Sequence, residues 1–234
     1  MIKRLAIIPA RSGSKRIKNK NIIGFYGKPL LSHSLEIIKK SKMFKKIHVS
    51  TDSNKIKKIA SSLKIETDFF RPSKLSGDNV SIIDTLKFVV NNFKKRNMFY
   101  DQIWLFYATN PFIKIKYIKD ANKLFLKHKQ KNPILPVTKY NYPVEWALKI
   151  KRNVLHNKFK NLSHLDSRMT EKLFCDAGMF CVYGNDHIFK NKSYVPYEIP
   201  IHETVDIDDK DDLKLAKKLI KTRINCKREK FIIL

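Results

Sequence analysis

Short apolar runs alternate along most of this chain with segments in which apolar residues recur every three or four positions. A continuous apolar run of about five residues is typical of a strand that is buried on both faces of a sheet. The runs predict strands at Leu5–Ala10, Ile47–Thr51, Ile65–Phe70, Ile103–Ala108 and Ile134–Thr138.

The amphipathic segments between these runs predict helices. One of them should start after two candidate N-caps, Asp52 and Ser53. The helices are expected over Pro29–Lys40, up to Ser62, over Ser81–Arg96, over Ile115–Lys129 and over about Asp211–Lys221. This alternation predicts an α/β fold with a mostly parallel sheet and helices on both faces, in which ligands bind at the carboxyl ends of the strands.

The alternation stops between Lys139 and Lys172, where the sequence is polar and turn-like. A loop of this length is often functional. Regular structure is expected again over Leu173–Tyr183 and in a last strand over Glu203–Asp208. The predicted organisation is a single domain over 1–222, an insertion within it at about 139–180, and a basic C-terminal tail over 223–234.

Composition narrows the class of protein. The chain has 234 residues, of which 43% are hydrophobic, and it contains neither an apolar run long enough to span a bilayer nor a signal-peptide pattern. Its three cysteines have no metal-ligand spacing, which favours a reducing cytoplasm. The formal net charge of +28 raises nucleic-acid binding as an alternative. The lysines are spread through every segment, however, and this favours a general compositional bias.

The first predicted strand runs into a loop of small and cationic residues. Small residues let backbone N–H groups approach a ligand closely, and cations match an anion. Because a strand that ends in such a loop is where an open α/β sheet binds phosphate, we predict a phosphate site here. Neither a Walker A sequence nor G-x-G-x-x-G is present. The loop residues are Arg11, Ser12, Gly13, Ser14, Lys15 and Arg16, with Lys18, Lys20 and Asn21 further on.

Two carboxylates, Asp206 and Asp208, stand at alternate positions near the end of the chain. In an extended segment they point the same way, while Val205 and Ile207 point to the other face. Neighbouring carboxylates repel each other unless a cation is bound. Since Mg²⁺ binds one or two carboxylates together with phosphate oxygens, the pair indicates a magnesium site for a nucleoside triphosphate. The alternative is a solvated acidic segment that precedes a helix.

The order of these motifs resembles that of the acylneuraminate and pseudaminic acid cytidylyltransferases, the CMP-nonulosonic acid synthetases. The matching stretches are Ile8–Arg16, Lys20–Ile22, Gly27–Pro29, Arg71–Ser76 and Asp78–Ser81. The resemblance covers Ile7 to Lys221 and implies a three-layer, Rossmann-like nucleotidyltransferase fold.

The resemblance also implies roles for individual residues. In the implied site, Mg²⁺, or Mn²⁺ as an alternative ion, is bound by Asp206 and Asp208, and these two residues form the catalytic set with Arg11 and Lys20. The implied CTP site consists of Ala10, Arg11, Ser12, Gly13, Lys20, Asn21, Arg71 and Ser81.

Three further stretches are similar to the pseudaminic branch of the family: Tyr107–Phe112, Tyr142–Leu148 and Cys175–Phe180. The resemblance implies that an arginine faces the carboxylate of the sugar, a pairing that suits a guanidinium. It also implies a homodimer formed through about residues 139–180, which reach into the neighbour's sugar site. The implied sugar-binding residues are Tyr107, Thr109, Arg168 and Asp176.

The sequence therefore predicts a cytoplasmic enzyme that transfers CMP from CTP to the anomeric hydroxyl of a nine-carbon 2-keto sugar acid and releases pyrophosphate. Pseudaminic acid is the preferred acceptor, and the product would be a donor for surface glycans. The alternatives within enzymes are N-acetylneuraminic, legionaminic and deoxy-octulosonic acids as acceptors. The alternatives from other classes are a nucleic-acid-binding protein and a nucleotide-binding regulator, and the intact Asp pair argues against the regulator.

Overall fold

In the computed structural model, the described residues, which are 2–159, 166–185 and 193–230, form a seven-stranded sheet between helices. The strands are β1 (Arg4–Pro9), β2 (Gly24–Phe25), β3 (Lys28–Pro29), β4 (Lys46–Ser50), β5 (Gln102–Phe106), β6 (Ile134–Lys139), β7 (Leu148–Lys151), β8 (Val154–Asn157), β9 (Phe174–Asp176), β10 (Phe180–Gly184) and β11 (Val195–Glu198). The helices are α1 (Leu30–Lys40), α2 (Asn54–Ser62), α3 (Ile82–Lys94), α4 (Ile115–Lys127) and α5 (Lys210–Lys230).

The sheet is mixed but mostly parallel, as the alternating sequence predicts. Its order is β11-β6-β10-β5-β1-β4, and β9 also pairs with β6. β1 is parallel to β4 and β5, and β11 is parallel to β6. β10 lies between β5 and β6 and is antiparallel to both. Five strands of the sheet therefore point the same way, and their carboxyl ends meet at one edge.

Successive residues of β1 feed two separate parts of the core. Ala6 and Ile8 pack on one side of the sheet with α1 and α4, while Leu5 and Ile7 pack on the other side with α3. All four side chains are fully buried. Because both faces of the strand are covered, the sequence shows a continuous apolar run there rather than an alternating one.

Two of the predicted strands are wrong. The segment Ile65–Phe70 makes only an isolated bridge, between His48 and Glu66. Its acidic side chains bind Lys46 and His48 instead, and Arg71 N then donates to the carbonyl of Thr51 at 2.8 Å. The segment is held beside β4 mainly by side chains, which an apolar pattern does not reveal.

The segment Glu203–Asp208 is also not a strand. A short 3-10 turn over Ile201–Glu203 precedes it, and Thr204 is extended with φ −135° and ψ 140°. Ile207 N donates to the carbonyl of Thr109, in the loop after β5, at 3.2 Å. The alternation predicted for this segment is nevertheless present, because Val205 and Ile207 are buried.

A β-hairpin occupies part of the predicted irregular region between 139 and 172. β7 and β8 pair antiparallel through a two-residue turn. Arg152 and Asn153 occupy that turn with φ of 50° and 61°, the left-handed values that a tight hairpin requires. An arginine at the first of these positions is not a usual turn signal, which explains why the pattern missed the hairpin. Much of its apolar surface is exposed, including Ile150 at 74% and Leu155 at 62%.

The last helix is longer than predicted, since α5 continues from Lys210 to Lys230 through the expected end at Lys221. Residues 231–234 of the predicted tail lie outside the described residues. None of the helices in the described part of the chain combines the length and the apolar character that a bilayer span requires.

Candidate active site

A cavity of about 710 Å³ opens at the edge of the sheet where β1 and β5 end. Five cations and three carboxylates line it, so its wall carries a net positive charge. These charged residues are Arg11, Lys15, Arg16, Lys20, Arg71, Asp78, Asp206 and Asp208. The basic loop, Arg71 and the Asp pair therefore gather at the carboxyl ends of the strands, and their roles in ligand binding stay predictions.

The basic loop after β1 is held in place by bonds to its neighbours. Ser12 donates from its backbone N to Asp52 Oδ1 at 3.0 Å and from its hydroxyl to Asp52 Oδ2 at 3.2 Å. Asn21 Nδ2 donates to the carbonyl of Arg11 at 2.9 Å. These bonds fix the path of the loop and leave its cations to face the cavity. The predicted capping role of Asp52 is wrong, because Ser53 caps α2 by accepting from Ile56 N.

One group of charges joins the basic loop to the segment before α3. Asp78 accepts from Arg11 Nη2 at 2.7 Å and from Lys15 Nζ at 2.5 Å. Arg11 Nη1 also donates to the carbonyl of Ser76 at 3.2 Å. The ammonium of Lys15 and the guanidinium of Arg11 hold the pKa of Asp78 below its usual value, so this carboxylate is ionised at neutral pH. We call Arg11, Lys15 and Asp78 the outer cluster.

A second group of charges joins the same loop to the segment before α5. Asp208 accepts from Lys20 Nζ at 2.8 Å and from Arg16 Nη2 at 2.8 Å. Burial alone would raise the pKa of Asp208, but the Lys20 and Arg16 cations outweigh it and lower the pKa. The Lys20 side chain is only 14% exposed. We call Arg16, Lys20, Asp206 and Asp208 the inner cluster.

Asp206 is the more buried of the two predicted metal ligands. Thr109 Oγ1 donates to its Oδ1 at 2.6 Å. Burial raises the pKa of Asp206, and the neighbouring carboxylates of Asp208 and Asp176 add to the rise, while Thr109 and Lys20 oppose it. Because neighbouring like charges disfavour ionisation, a nearby cation would stabilise the ionised form of Asp206.

Gly178 makes the close approach of Asp206 to the sheet possible. A Cβ at this position would lie 2.6 Å from Asp206 Cβ and 2.7 Å from Asp206 Oδ2, and the glycine has φ of +61°. Gly178 N also donates to Asp176 Oδ1 at 2.8 Å. A glycine is therefore required at position 178 for two reasons. Its φ is positive, and a Cβ there would collide with Asp206.

Arg71 lines the cavity and is only 6% exposed. Its Nε donates to Ser50 Oγ at 3.2 Å, and its Nη2 donates to the carbonyl of Ser50. Burial lowers the pKa of Arg71 to about 10, against the attraction of Asp52 and with a small contribution from Arg11. The side chain remains a cation at neutral pH and is fixed by the end of β4.

Tyr107 and Thr109 line the cavity on the side of β5. Burial raises the pKa of Tyr107, so its hydroxyl stays protonated and keeps a donor for a ligand. Both residues were predicted to contact the sugar, and both lie beside the Asp pair.

Other predicted site residues lie outside the lining of this cavity. Ala10 is buried below the basic loop. Ser12 lines a second cavity of about 290 Å³ behind the loop. At Gly13, no atom lies within 4 Å of the place that a Cβ would occupy. Ser81 caps α3 by accepting from Asp84 N at 3.1 Å.

Two of the predicted sugar-binding residues, Arg168 and Asp176, do not line the cavity. Arg168 is exposed and donates to Asp166 through Nε and Nη2 at 2.9 and 2.8 Å, away from the cavity lining. Asp176, at the end of β9, does not line the cavity but is near enough to raise the pKa of Asp206. Their sugar-binding roles stay predictions.

Several contacts of the candidate site are not visible in the sequence. The pairing of Asp78 with Arg11, the bond from Thr109 to Asp206, and the fit of Gly178 against Asp206 join residues far apart in the chain. The sequence contained a signal for the glycine alone, in the Asp-Ala-Gly order. In the sequence, Asp78 stands out only as part of the stretch Asp78–Ser81.

The residues present fit a divalent cation. Among the described residues no group of three or more His, Cys, Asp or Glu side chains has metal-binding geometry, so a protein cage is not formed. The Asp206 and Asp208 pair faces the cavity, and burial and like charge raise the pKa of Asp206. Two carboxylates plus ligand phosphates are the donor set that Mg²⁺ uses in nucleotide sites.

Comparison with known proteins identifies the family of this chain. A family model described as Cytidylyltransferase matches residues 5–231. The chain is 34% identical over 229 residues to the pseudaminic acid cytidylyltransferase of Campylobacter jejuni subsp. jejuni serotype O:23/36, with 94% of this chain and 97% of the relative covered. It is 29% identical over 232 residues to the CMP-N,N'-diacetyllegionaminic acid synthase of Legionella pneumophila, with 92% and 95% covered.

A solved structure has the same fold. It is a CMP:2-keto-3-deoxy-manno-octonic acid synthetase complexed with CTP, which superposes with a TM-score of 0.69 at 15% identity and covers 94% of this chain and 99% of its own. The cavity at the carboxyl edge of the sheet, the loop cations and the Asp pair therefore lie in a fold of the predicted nucleotidyltransferase type. With the family model matching nearly the whole chain, the protein belongs to the cytidylyltransferase family, whose members are nucleotidyltransferases.

Proposed function

We propose that this protein transfers CMP from CTP to the anomeric hydroxyl of a nonulosonic acid, with pseudaminic acid as the preferred acceptor. The observation that carries the proposal is the meeting of the basic loop and the Asp206–Asp208 pair in one cavity. The 34% identity to a pseudaminic acid cytidylyltransferase over 94% of the chain supports the acceptor.

The cavity offers separate surfaces for the parts of CTP. Lys20 and Arg11 face the space where a triphosphate would neutralise them, and Arg71 and Asn21 line the wall nearest β4. A guanidinium binds two phosphate oxygens at once, whereas an ammonium acts as a point charge. We assign Arg11 and Lys20 to the phosphates and Arg71 to the nucleoside side of the nucleotide.

The chemistry requires positioning and charge stabilisation more than proton transfer. The acceptor hydroxyl oxygen attacks the α-phosphorus in line, the bond to the bridging oxygen of pyrophosphate breaks, and the hydroxyl proton passes to solvent water. Lys20 and Arg11 offset the charge that builds on the leaving pyrophosphate. Tyr107 and Thr109 line the same wall as the Asp pair and would orient the acceptor, which reduces the entropy cost of the attack.

We assign Asp206 and Asp208 to Mg²⁺, with Mn²⁺ as an alternative ion. Bound there, such an ion supplies charge stabilisation to the attacking and leaving oxygens. Thr109 and Gly178 hold Asp206 in place for this role. Lys20 and Arg16 hold Asp208 until phosphates draw these cations away.

We also propose a homodimer that forms through the region containing the β7–β8 hairpin. Leu148, Ile150 and Leu155 lie on one face of this hairpin and are 54–74% exposed, and an exposed apolar patch of this kind marks interaction sites. Arg168 lies in the same region and would contact an acceptor across the dimer. Sedimentation equilibrium tests the proposal, and a monomer at micromolar concentration would contradict it.

The first test of function is release of pyrophosphate from CTP and Mg²⁺ with a panel of acceptors. The panel contains pseudaminic, legionaminic, N-acetylneuraminic and deoxy-octulosonic acids, and Asp208→Ala is measured beside the wild type. We expect turnover with pseudaminic acid that the substitution abolishes. Turnover with another acid alone would replace the preferred acceptor, and silence on the whole panel with CTP still bound would favour a regulator. The cytoplasmic location and the role in surface glycan synthesis stay predictions.

A further inference from the structure

Asp78 is a charged residue of the cavity wall that the proposed chemistry does not use. It lies on the segment between the 3-10 turn Ser73–Leu75 and α3, and it pairs with two cations of the basic loop. We propose that Asp78 is an exchangeable counter-ion, which the triphosphate of CTP displaces from Arg11 and Lys15 and which returns to them as pyrophosphate leaves. The proposal rests on the proposed function.

The geometry of the outer cluster matches such an exchange. Each Asp78 oxygen takes one cation, Oδ1 from Arg11 at 2.7 Å and Oδ2 from Lys15 at 2.5 Å. A phosphate group presents oxygens of the same charge and a similar spacing, so it can occupy the same donors. All three residues line the cavity, which means that a ligand phosphate and Asp78 compete directly.

The exposure of the pair makes the exchange easy. The Lys15 side chain is 83% exposed, and Asp78 and Arg11 are 37% and 31% exposed. Ion pairs in contact with water contribute little net stability, because solvent and salt screen them. A triphosphate carries several charges, whereas Asp78 carries one. The triphosphate therefore displaces Asp78 from Arg11 and Lys15. Its binding free energy is reduced by the energy needed to break these two ion pairs.

The same exchange would assist release of the product. Once the α-phosphorus is transferred, pyrophosphate remains among the loop cations, and Asp78 can compete for two of them. The carbonyl of Ser76 keeps a bond to Arg11 Nη1 at 3.2 Å, which holds the Asp78 segment close to the loop. Asp78 is in this sense a positioning residue for the phosphate cations, and it weakens binding of every polyphosphate.

Binding of inorganic tripolyphosphate and of pyrophosphate to Asp78→Asn, measured by calorimetry without divalent ions, tests the proposal. Loss of one negative charge beside the phosphates should tighten both by about fivefold to tenfold at low salt. The gain should shrink as salt rises past about 0.15 M, because the Debye length falls. We also expect a lower KM for CTP and stronger inhibition by pyrophosphate.

Two variants sharpen the measurement. Asp120→Asn removes the same charge from an exposed pair with Lys116 on α4, outside the cavity lining, and should leave polyphosphate binding unchanged. In a Lys15→Met background, Asp78→Asn should give a smaller gain, because one exchanged cation is missing. A variant that only disturbed folding would show no such coupling.

The outcomes separate this inference from the proposed function. If the wild type binds tripolyphosphate and CTP, while Asp78→Asn and Asp78→Ala bind them equally or more weakly, Asp78 is a scaffold and the exchange is wrong. An equal gain in the Lys15→Met background would also overturn it. If the wild type binds neither ligand, the proposed function itself fails, whatever the variants do.

Discussion

The outer and inner clusters are built alike but differ in what surrounds their aspartates. In each, one aspartate pairs with two cations of the same basic loop at 2.5–2.8 Å. Asp78 stands alone on an exposed segment. Asp208 has a second carboxylate, Asp206, whose pKa burial raises, and its partner Lys20 is only 14% exposed.

The difference teaches that the surroundings of an ion pair decide how easily a ligand replaces one of its members. Around Asp78 water can replace either partner, so the pair is easily exchanged for a ligand. Around Asp208, the neighbouring carboxylate of Asp206 adds a second negative charge. Lys20 and Arg16 offset these two charges only in part, because they pair with Asp208 alone. The same Asp→Asn substitution should therefore help ligand binding in the outer cluster and abolish chemistry in the inner one.

The largest expected effect is in the inner cluster. Asp208→Asn should lower turnover by about 10³-fold or more, because a metal ligand that supplies several kcal/mol of charge stabilisation is lost. CTP binding without metal should persist, since Lys20 and Arg16 remain. Coupled pyrophosphate assays and calorimetry measure the two quantities. Asp211→Asn, an exposed neighbour paired with Lys214, is the matched control and should keep its turnover.

A steric change next to Asp206 should be almost as damaging. Gly178→Ala introduces a Cβ at 2.6 Å from Asp206 Cβ, so Asp206 must move. A displacement of about 1 Å in a catalytic group costs on the order of 10²-fold in rate. Gly24→Ala, where no atom lies within 4 Å of the added Cβ, is the control. Normal kcat in Gly178→Ala would mean that the position of Asp206 is not critical.

A smaller effect is expected at the buried cation between the clusters and β4. Arg71→Lys keeps the charge but loses the bonds from Nε and Nη2 to Ser50. We expect KM for CTP to rise about tenfold with little change in kcat, because a lysine cannot reproduce a guanidinium fixed at two points. Arg96→Lys, on the surface beside Asp68, serves as control. A fall in kcat alone would place Arg71 nearer to the reaction than proposed.

The smallest effect concerns stability. Because the folded pKa of Asp206 is raised from 3.8, its ionised form costs folding free energy at neutral pH. In the presence of a chelator, Asp206→Asn should increase the free energy of unfolding at pH 7 by about 1 kcal/mol. The gain should fade as the pH falls through the folded pKa and should vanish below the ordinary value. Thermal unfolding between pH 4 and 7 measures it, and destabilisation at pH 7 would contradict the sign.

Prediction from the sequence succeeded where one local pattern decides the outcome. The continuous apolar runs gave β1, β4, β5 and β6, and the amphipathic periods gave α1 to α4, each to within a few residues. It failed at Ile65–Phe70, where Lys46 and His48 side chains replace a backbone ladder. It also missed the β7–β8 hairpin, whose turn residues are unusual and whose apolar side chains are exposed.

For the site, the sequence determined which groups are present, and the fold determined what each of them contacts. The loop cations and the alternating Asp206 and Asp208 can be read directly, because residue type and local spacing fix charge and direction. Only the tertiary structure decided that Asp78 pairs with Arg11 and Lys15, and that Gly178 lies against Asp206. These contacts join residues that are far apart in the chain. The order of the strands in the sheet sets the distances between them, and a local sequence pattern carries no information about that order.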